Sequence, residues 1–189
     1  MKRLLFAALA SALPAVPLGV WLSSPLPLLV RPLWIYRFGQ LAGLLGFVLL
    51  FFQFVLASRV RLFERQIGLD TLLWAHRYTG IAAAVLLLAH GVLLTAFDLT
   101  TGAGIQGGLP RLLGVGALAV LLVVAGVASL QRTLGLRYEV WKRIHQAGWI
   151  VFPVVFAHAL VLGTTVHAST LLRGMFFVLF AIYVLLVLA

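Results

Sequence analysis

Apolar residues run along this chain in long blocks instead of alternating with polar ones. Six blocks approach or exceed the roughly 20 residues that a bilayer-spanning helix needs. They lie near Leu4–Leu22, Leu33–Ser58, Thr71–Phe97, Leu112–Leu130, Lys142–Thr164 and Thr170–Ala189. The intervening connectors ("SSPLPLLVRP", "RVRLFERQIGLD", "DLTTGAGIQGGLPR", "QRTLGLRYEVW" and "VHAS") hold the turn-forming residues and most of the charges. The pattern predicts an all-α membrane protein built as a six-transmembrane-helix bundle. The first block, "MKRLLFAALASALPAVPLG", also has the basic start and small residues of a secretory signal; a retained first helix is expected. The fourth block is rich in small residues suited to close helix packing.

Composition narrows the class. The 189 residues are 63% apolar and only 10% charged, with mean hydropathy +1.16, more apolar surface than a soluble domain of this size requires. A net charge of +10 would suggest a nucleic-acid partner in a soluble protein. Here the basic residues sit mostly between spans, which fits membrane lipids as partners and no nucleic acid. The chain has no cysteine, which excludes disulfides, thiolate metal sites, iron–sulfur clusters and c-type haem attachment.

The distribution of Lys and Arg sets an expected orientation. Lys2, Arg3, Arg59, Arg61, Arg65, Arg132, Arg137, Lys142 and Arg143 fall on one side, and Arg31, Arg37, Arg111 and Arg173 on the other. Nine against four, with Arg77 inside the third span left out, places both termini in the cytoplasm of a bacterial inner membrane. The third and fifth spans then run parallel.

Those two spans carry the candidate chemistry. "LLWAHRYTGIAAAVLLLAHGVLL" holds His76 and His90, fourteen residues apart, and "WKRIHQAGWIVFPVVFAHALVL" holds His145 and His158, thirteen apart. An ionisable residue inside a span is costly and marks a functional site by default. At about 1.5 Å per residue, each helix offers one imidazole near its cytoplasmic end and another roughly 20 Å further out. His76 can face His145, and His90 can face His158. Paired histidines supply the two axial ligands of a six-coordinate b-type haem, whose porphyrin provides the other four nitrogens. Two stacked haems b are therefore expected, with His76 and His145 on the inner iron and His90 and His158 on the outer. On the helical wheel His90 returns to within roughly 40° of His76, whereas His158 lies roughly 140° from His145; Pro153 lies between them and removes a backbone donor, and a local kink there could correct part of the second angle. A proton relay in a haem-free transporter is the alternative reading. A single transition-metal site is disfavoured, since its ligands must converge on one point.

At these residues the chain resembles the ferric reductase-like transmembrane domain of NADPH oxidases and ferric-chelate reductases. The segments that carry the resemblance are "HRYTGIAAAVLLLAH" and "YEVWKRIHQAGWIVFPVVFAH", with the aromatic-Glu lead-in "YEVW". The resemblance implies an oxidoreductase in which a cytosolic domain binding FAD and NAD(P)H feeds single electrons to the inner haem. The outer haem then serves an extracytoplasmic acceptor, ferric iron or dioxygen. No Gly-rich dinucleotide fingerprint follows the sixth span, which ends at "VLLVLA". The flavin domain is therefore expected on the remainder of a longer enzyme or on a separate subunit. The separate subunit would resemble the haem membrane partner of a periplasmic methionine-sulfoxide reductase.

Haem propionates need cationic partners. Arg37 is a candidate at the outer level and Arg77 at the inner, each with a rival role as an interfacial anchor that snorkels to water. Trp149, Phe152 and Phe156 lie between the fifth-span histidines and are expected to fill space. Trp21, Trp34 and Trp74 read as interface aromatics. His167 reads as a solvated connector residue.

Overall fold

The computed structural model describes residues 2–24, 32–58, 64–65, 67–102 and 107–188, with side chains from residue 12 onward. Arg31, Arg59 and Arg61 lie outside the described residues, as do the side chains of Lys2 and Arg3. The main helices are α1 (Lys2–Ser23), α2 (Leu33–Ala57), α3 (Leu69–Thr101), α4 (Gly108–Leu130), α5 (Tyr138–Gln146), α6 (Gly148–Leu162), α7 (Thr164–Ala168) and α8 (Thr170–Leu188). No strand occurs among the described residues.

Five segments are long and apolar enough to cross a membrane: α2, α3, α4, the α5–α6 pair and α8. The sequence predicts six. The remaining block is helical along its backbone, but the part with described side chains, Ala12–Ser23, falls short of spanning length.

The second span lies at the centre because it is apolar on every face. Its most apolar stretch is 56% buried, against 17–22% for the other spans. Helix α2 packs against α1, α3, α6 and α8. Its tightest neighbour is α3, and glycines permit that approach. A Cβ on Gly39 or Gly46 would stand 2.8 Å from side-chain atoms of Leu94 or Leu87. Small residues let helix backbones come close where lipid tails supply no hydrophobic drive. The close packing expected of the fourth span is less general, since Gly116 and Gly126 meet nothing within 4 Å.

An aromatic layer joins α2, α6 and α8. Phe47 stacks on Phe176 at 4.0 Å between ring centroids and on Phe152 at 5.0 Å. Phe152, with no exposed surface, also meets Phe51, Phe54, Phe180 and Tyr183. Phe156 stacks on Phe180, and Trp149 meets Phe54 and Tyr183. These three residues of the fifth span fill space, as the sequence predicts.

The fifth span is interrupted at a residue the sequence does not single out. Helix α6 continues through Pro153. The break falls at Ala147, where Ala147 N–H donates to Ile144 O and Ile150 N–H donates to Ala147 O, both at 3.1 Å. These i→i+3 bonds tighten the turn, and Gly148 follows, a residue that weakens helix continuity. Pro153 has a different consequence. It offers no N–H to the carbonyl of Trp149, four residues earlier, and the Tyr183 hydroxyl donates to that carbonyl at 2.6 Å.

Helix α1 is fastened to α2 by one reciprocal contact. Trp21 Nε1 donates to Arg37 O at 2.8 Å, Arg37 Nη2 donates to Trp21 O at 2.6 Å, and the guanidinium sits 4.6 Å from the Trp21 ring centroid. Trp21 is 4% exposed and is no interface aromatic, unlike Trp34 and Trp74, which are exposed.

The Trp149 carbonyl supplies a test. Tyr183→Phe should cost about 1 kcal/mol by leaving a buried acceptor unsatisfied. In a Pro153→Ala background the restored backbone N–H should serve that acceptor, and the cost should fall towards zero. Thermal denaturation of the four proteins in detergent measures the coupling; equal costs in both backgrounds would rule it out.

Candidate functional site

Helix α3 runs without a break from Leu69 to Thr101, so His76 and His90 stand about 21 Å apart along its axis. Each meets one histidine of the fifth span. His76 and His145 have ring centroids 5.8 Å apart, and His90 and His158 are 6.3 Å apart with planes at 89°. The early residue of one span meets the early residue of the other, and the late one the late, so the two spans run parallel. Of the four, the two from the fifth span reach the same partner helix across the break at Ala147.

The two levels differ in how their imidazoles are held. At the outer level Nδ1 of His90 lies 2.8 Å from Gly39 O, and Nδ1 of His158 lies 2.9 Å from Pro110 O. A carbonyl can only accept, so each Nδ1 carries the proton and each Nε2 presents its lone pair. Both rings rest on bare backbone. A Cβ on Gly43 would stand 2.6 Å from Nδ1 of His90, and one on Gly114 would stand 2.5 Å from Nδ1 of His158. At the inner level Nδ1 of His76 and Nδ1 of His145 are buried with no hydrogen-bond partner among the described residues. Trp141 stacks on His145 at 5.1 Å and 15°. Nearby, Gln53 Nε2 donates to Thr79 Oγ1 at 2.8 Å and ties α2 to α3.

A cavity of about 340 Å³ surrounds the outer pair, with both histidines and both ring-bearing glycines in its wall. That volume lies within the range of small-molecule sites. Its polar margin includes Thr164, whose Oγ1 accepts from Gln40 Nε2 at 2.8 Å and pairs with the Tyr36 hydroxyl at 2.8 Å. Arg111 also lines it, paired with Asp98 and donating to Thr95 Oγ1 at 2.9 Å.

The two arginines singled out by sequence are placed differently. Arg37 is buried against Trp21 and is not among the described residues that line the cavity. Arg77 is exposed beside His76, and His167 is exposed in α7. Sequence reading passed over Gly43, Gly114, Gln40 and Thr164, and used Arg111 only to orient the chain. A glycine inside a helix costs roughly 0.5–1 kcal/mol relative to alanine, so Gly43 and Gly114 carried a signal. No group of three or more His, Asp or Glu side chains converges on one point among the described residues.

Comparison with known proteins identifies the frame in which these pairs sit. Residues 42–157, more than half of the chain, match the family described as ferric reductase like transmembrane component. The chain belongs to that family. The matched region holds His76, His90 and His145 and ends one residue before His158. The ferric reductase-like family is one of integral membrane, oxidoreductase-related proteins, which accounts for the apolar outer faces of the helices. An uncharacterized protein of Archaeoglobus fulgidus is 29% identical over 148 residues, covering 72% of this chain and 80% of the relative. No solved structure matches the chain.

The hydroxyl junction at the cavity margin can be tested by itself. Thr164→Val removes the shared partner of Tyr36 and Gln40 and should lower stability by about 1–2 kcal/mol. Thr165→Val, beside it, is the control. Equal melting temperatures for the two variants would show that the junction contributes nothing.

Proposed function

We propose that the chain carries electrons across the membrane through two bis-histidine b-type haems, from a cytosolic flavin donor to an extracytoplasmic acceptor. The observation that carries this reading is the pair of facing imidazoles at each of two levels on parallel helices.

The residues fit the group. Two metal–nitrogen bonds of about 2 Å, with a ring centre about 1 Å behind each nitrogen, put facing imidazole centroids about 6 Å apart. The observed 5.8 and 6.3 Å match that span. At the outer level the protonated Nδ1 atoms face backbone carbonyls, which leaves Nε2 as the ligand atom. A two-histidine set suits a macrocycle that brings four nitrogens of its own, and not a bare ion that needs three or four protein ligands. When bound, haem supplies a one-electron carrier whose potential the protein tunes through its axial ligands and their hydrogen bonds.

In this reading His76 and His145 hold the inner group and His90 and His158 the outer. Arg111, in the wall of the outer cavity, is better placed than Arg37 to meet an outer propionate; Arg77 remains the inner candidate. The first helix is the sixth span, and the charge distribution puts both termini in the cytoplasm. FAD and NAD(P)H belong to a reductase domain or subunit that meets the cytoplasmic face. With His90 and His158 both holding the outer group, the acceptor, ferric iron or dioxygen, would be served without bonding to it.

Visible spectra of the dithionite-reduced protein, expressed with haem supplied, should show b-type bands and two haems per chain. His76→Ala or His145→Ala should remove the inner haem, and His90→Ala or His158→Ala the outer. A flat wild-type spectrum would refute the proposal; His76→Ala and His158→Ala emptying the same level would refute the pairing. Carbon monoxide added to the reduced protein should leave the spectrum unchanged while a ferric chelate reoxidises it. Prompt spectral change with carbon monoxide, without denaturation, would reveal an open iron and overturn the transfer mode.

A further inference from the structure

The outer histidines are held by a construction that occurs twice, on two different helices. On α2, Gly39 supplies the carbonyl and Gly43 the bare backbone for His90; on α4, Pro110 supplies the carbonyl and Gly114 the bare backbone for His158. In both cases the glycine follows its carbonyl by four residues, the spacing that stacks two positions on one helix face. A ring lying on the glycine therefore reaches the carbonyl one turn back. That carbonyl has a second lone pair beyond the one its own helix uses. Gly116 and Gly126 of the same α4 helix meet nothing within 4 Å, so the contact distinguishes Gly114 from its neighbours.

We propose that Gly43 and Gly114 are positioning residues that polarise the outer histidine pair, so that the outer haem is bound by more basic imidazoles than the inner one. The proposal rests on the axial-ligand reading above. A hydrogen bond from Nδ1 to a carbonyl fixes the tautomer and raises the basicity of Nε2. The more basic ligand favours ferric over ferrous iron, so each cradle lowers the outer reduction potential relative to an unbonded histidine. Nδ1 of His145 has no hydrogen-bond partner among the described residues, and Nδ1 of His76 makes no bond of proper geometry although the Gln53 backbone lies near its ring; a well-formed carbonyl bond to both rings is found at the outer level. The cradles also pin ring rotation. The planes of His90 and His158 stand at 89°, and neither ring can turn about its Cβ–Cγ bond without giving up its carbonyl.

The test uses the full chain in nanodiscs. A methyl group at Gly43 or Gly114 would lie 2.5–2.6 Å from Nδ1, so Gly43→Ala and Gly114→Ala must push a ring off its carbonyl. Redox titration followed by visible absorption should show the outer potential shifted upward, the inner potential unchanged, and the low-spin paramagnetic resonance signal of the outer centre altered. Gly116→Ala should match wild type in every respect. Both potentials and both resonance signals staying at wild-type values in Gly43→Ala and Gly114→Ala would overturn the proposal. If those variants do not fold, infrared redox-difference spectra of wild type decide. The imidazole C–N stretch shifts when Nδ1–H is hydrogen-bonded, and the bonded form should titrate with the centre that His90→Ala removes. A single band type at both levels would overturn the proposal. A wild-type chain that binds no haem would instead overturn the ligand reading, and the inference with it.

Discussion

Four imidazoles sit inside an apolar helical bundle, and that constraint organises the rest of the structure. A buried polar ring needs partners, and an intramembrane site cannot borrow them from bulk water. Each histidine is therefore turned towards another, and the outer two also turn their backs to carbonyls on neighbouring helices. Backbone carbonyls inside helices are partly shielded by side chains. His90 and His158 each lie where a Cβ on Gly43 or Gly114 would stand, so the absence of that Cβ is what lets each imidazole reach its carbonyl.

The helix packing follows from the same requirement. Helix α3 must lie close enough to α2 for His90 to reach Gly39 O, and the glycines at 39 and 46 allow that approach above and below. The fifth span must face α3 at two levels although thirteen residues do not return an ideal helix to the same face. The break at Ala147 separates the rotation of α5 from that of α6, so His145 and His158 can be oriented independently. Pro153 then leaves a carbonyl to be satisfied, and Tyr183 on α8 satisfies it from within the aromatic layer. The outer imidazoles and the Trp149 carbonyl thus find their partners on neighbouring helices.

Much of this was legible in the sequence, for reasons that can be named. Spans of apolar residues, the depth of each histidine and the parallel course of the third and fifth spans depend on linear spacing and charge asymmetry, which a sequence displays directly. The rotation of a residue about its helix axis was less accessible. Arg37 and Arg111 both lie near the N-terminal ends of their spans; one turns into a contact with Trp21 and the other into the cavity wall. The break at Ala147 was not foreseen, because Pro153 is the stronger helix breaker by propensity and drew attention to itself, while a neighbouring hydroxyl offsets its missing bond. The carbonyls that hold the outer rings were invisible in principle, since every residue has one. Mid-helix glycines were the only trace they left.

The asymmetry between the levels follows from what lies beside them. The inner pair sits next to Trp141, which stacks on His145, and close to the Gln53–Thr79 bond. The outer pair sits against naked backbone and opens onto a cavity with a hydroxyl and amide margin. A ring fixed by backbone has less freedom than one packed among side chains, because a helix carbonyl cannot change rotamer. The outer level is therefore the more rigidly built of the two, at the end of the bundle where the cavity meets its polar margin. If outer-sphere transfer occurs there, rigidity matters: a donor whose ligands do not move keeps the same distance and orientation towards whatever acceptor reaches the cavity.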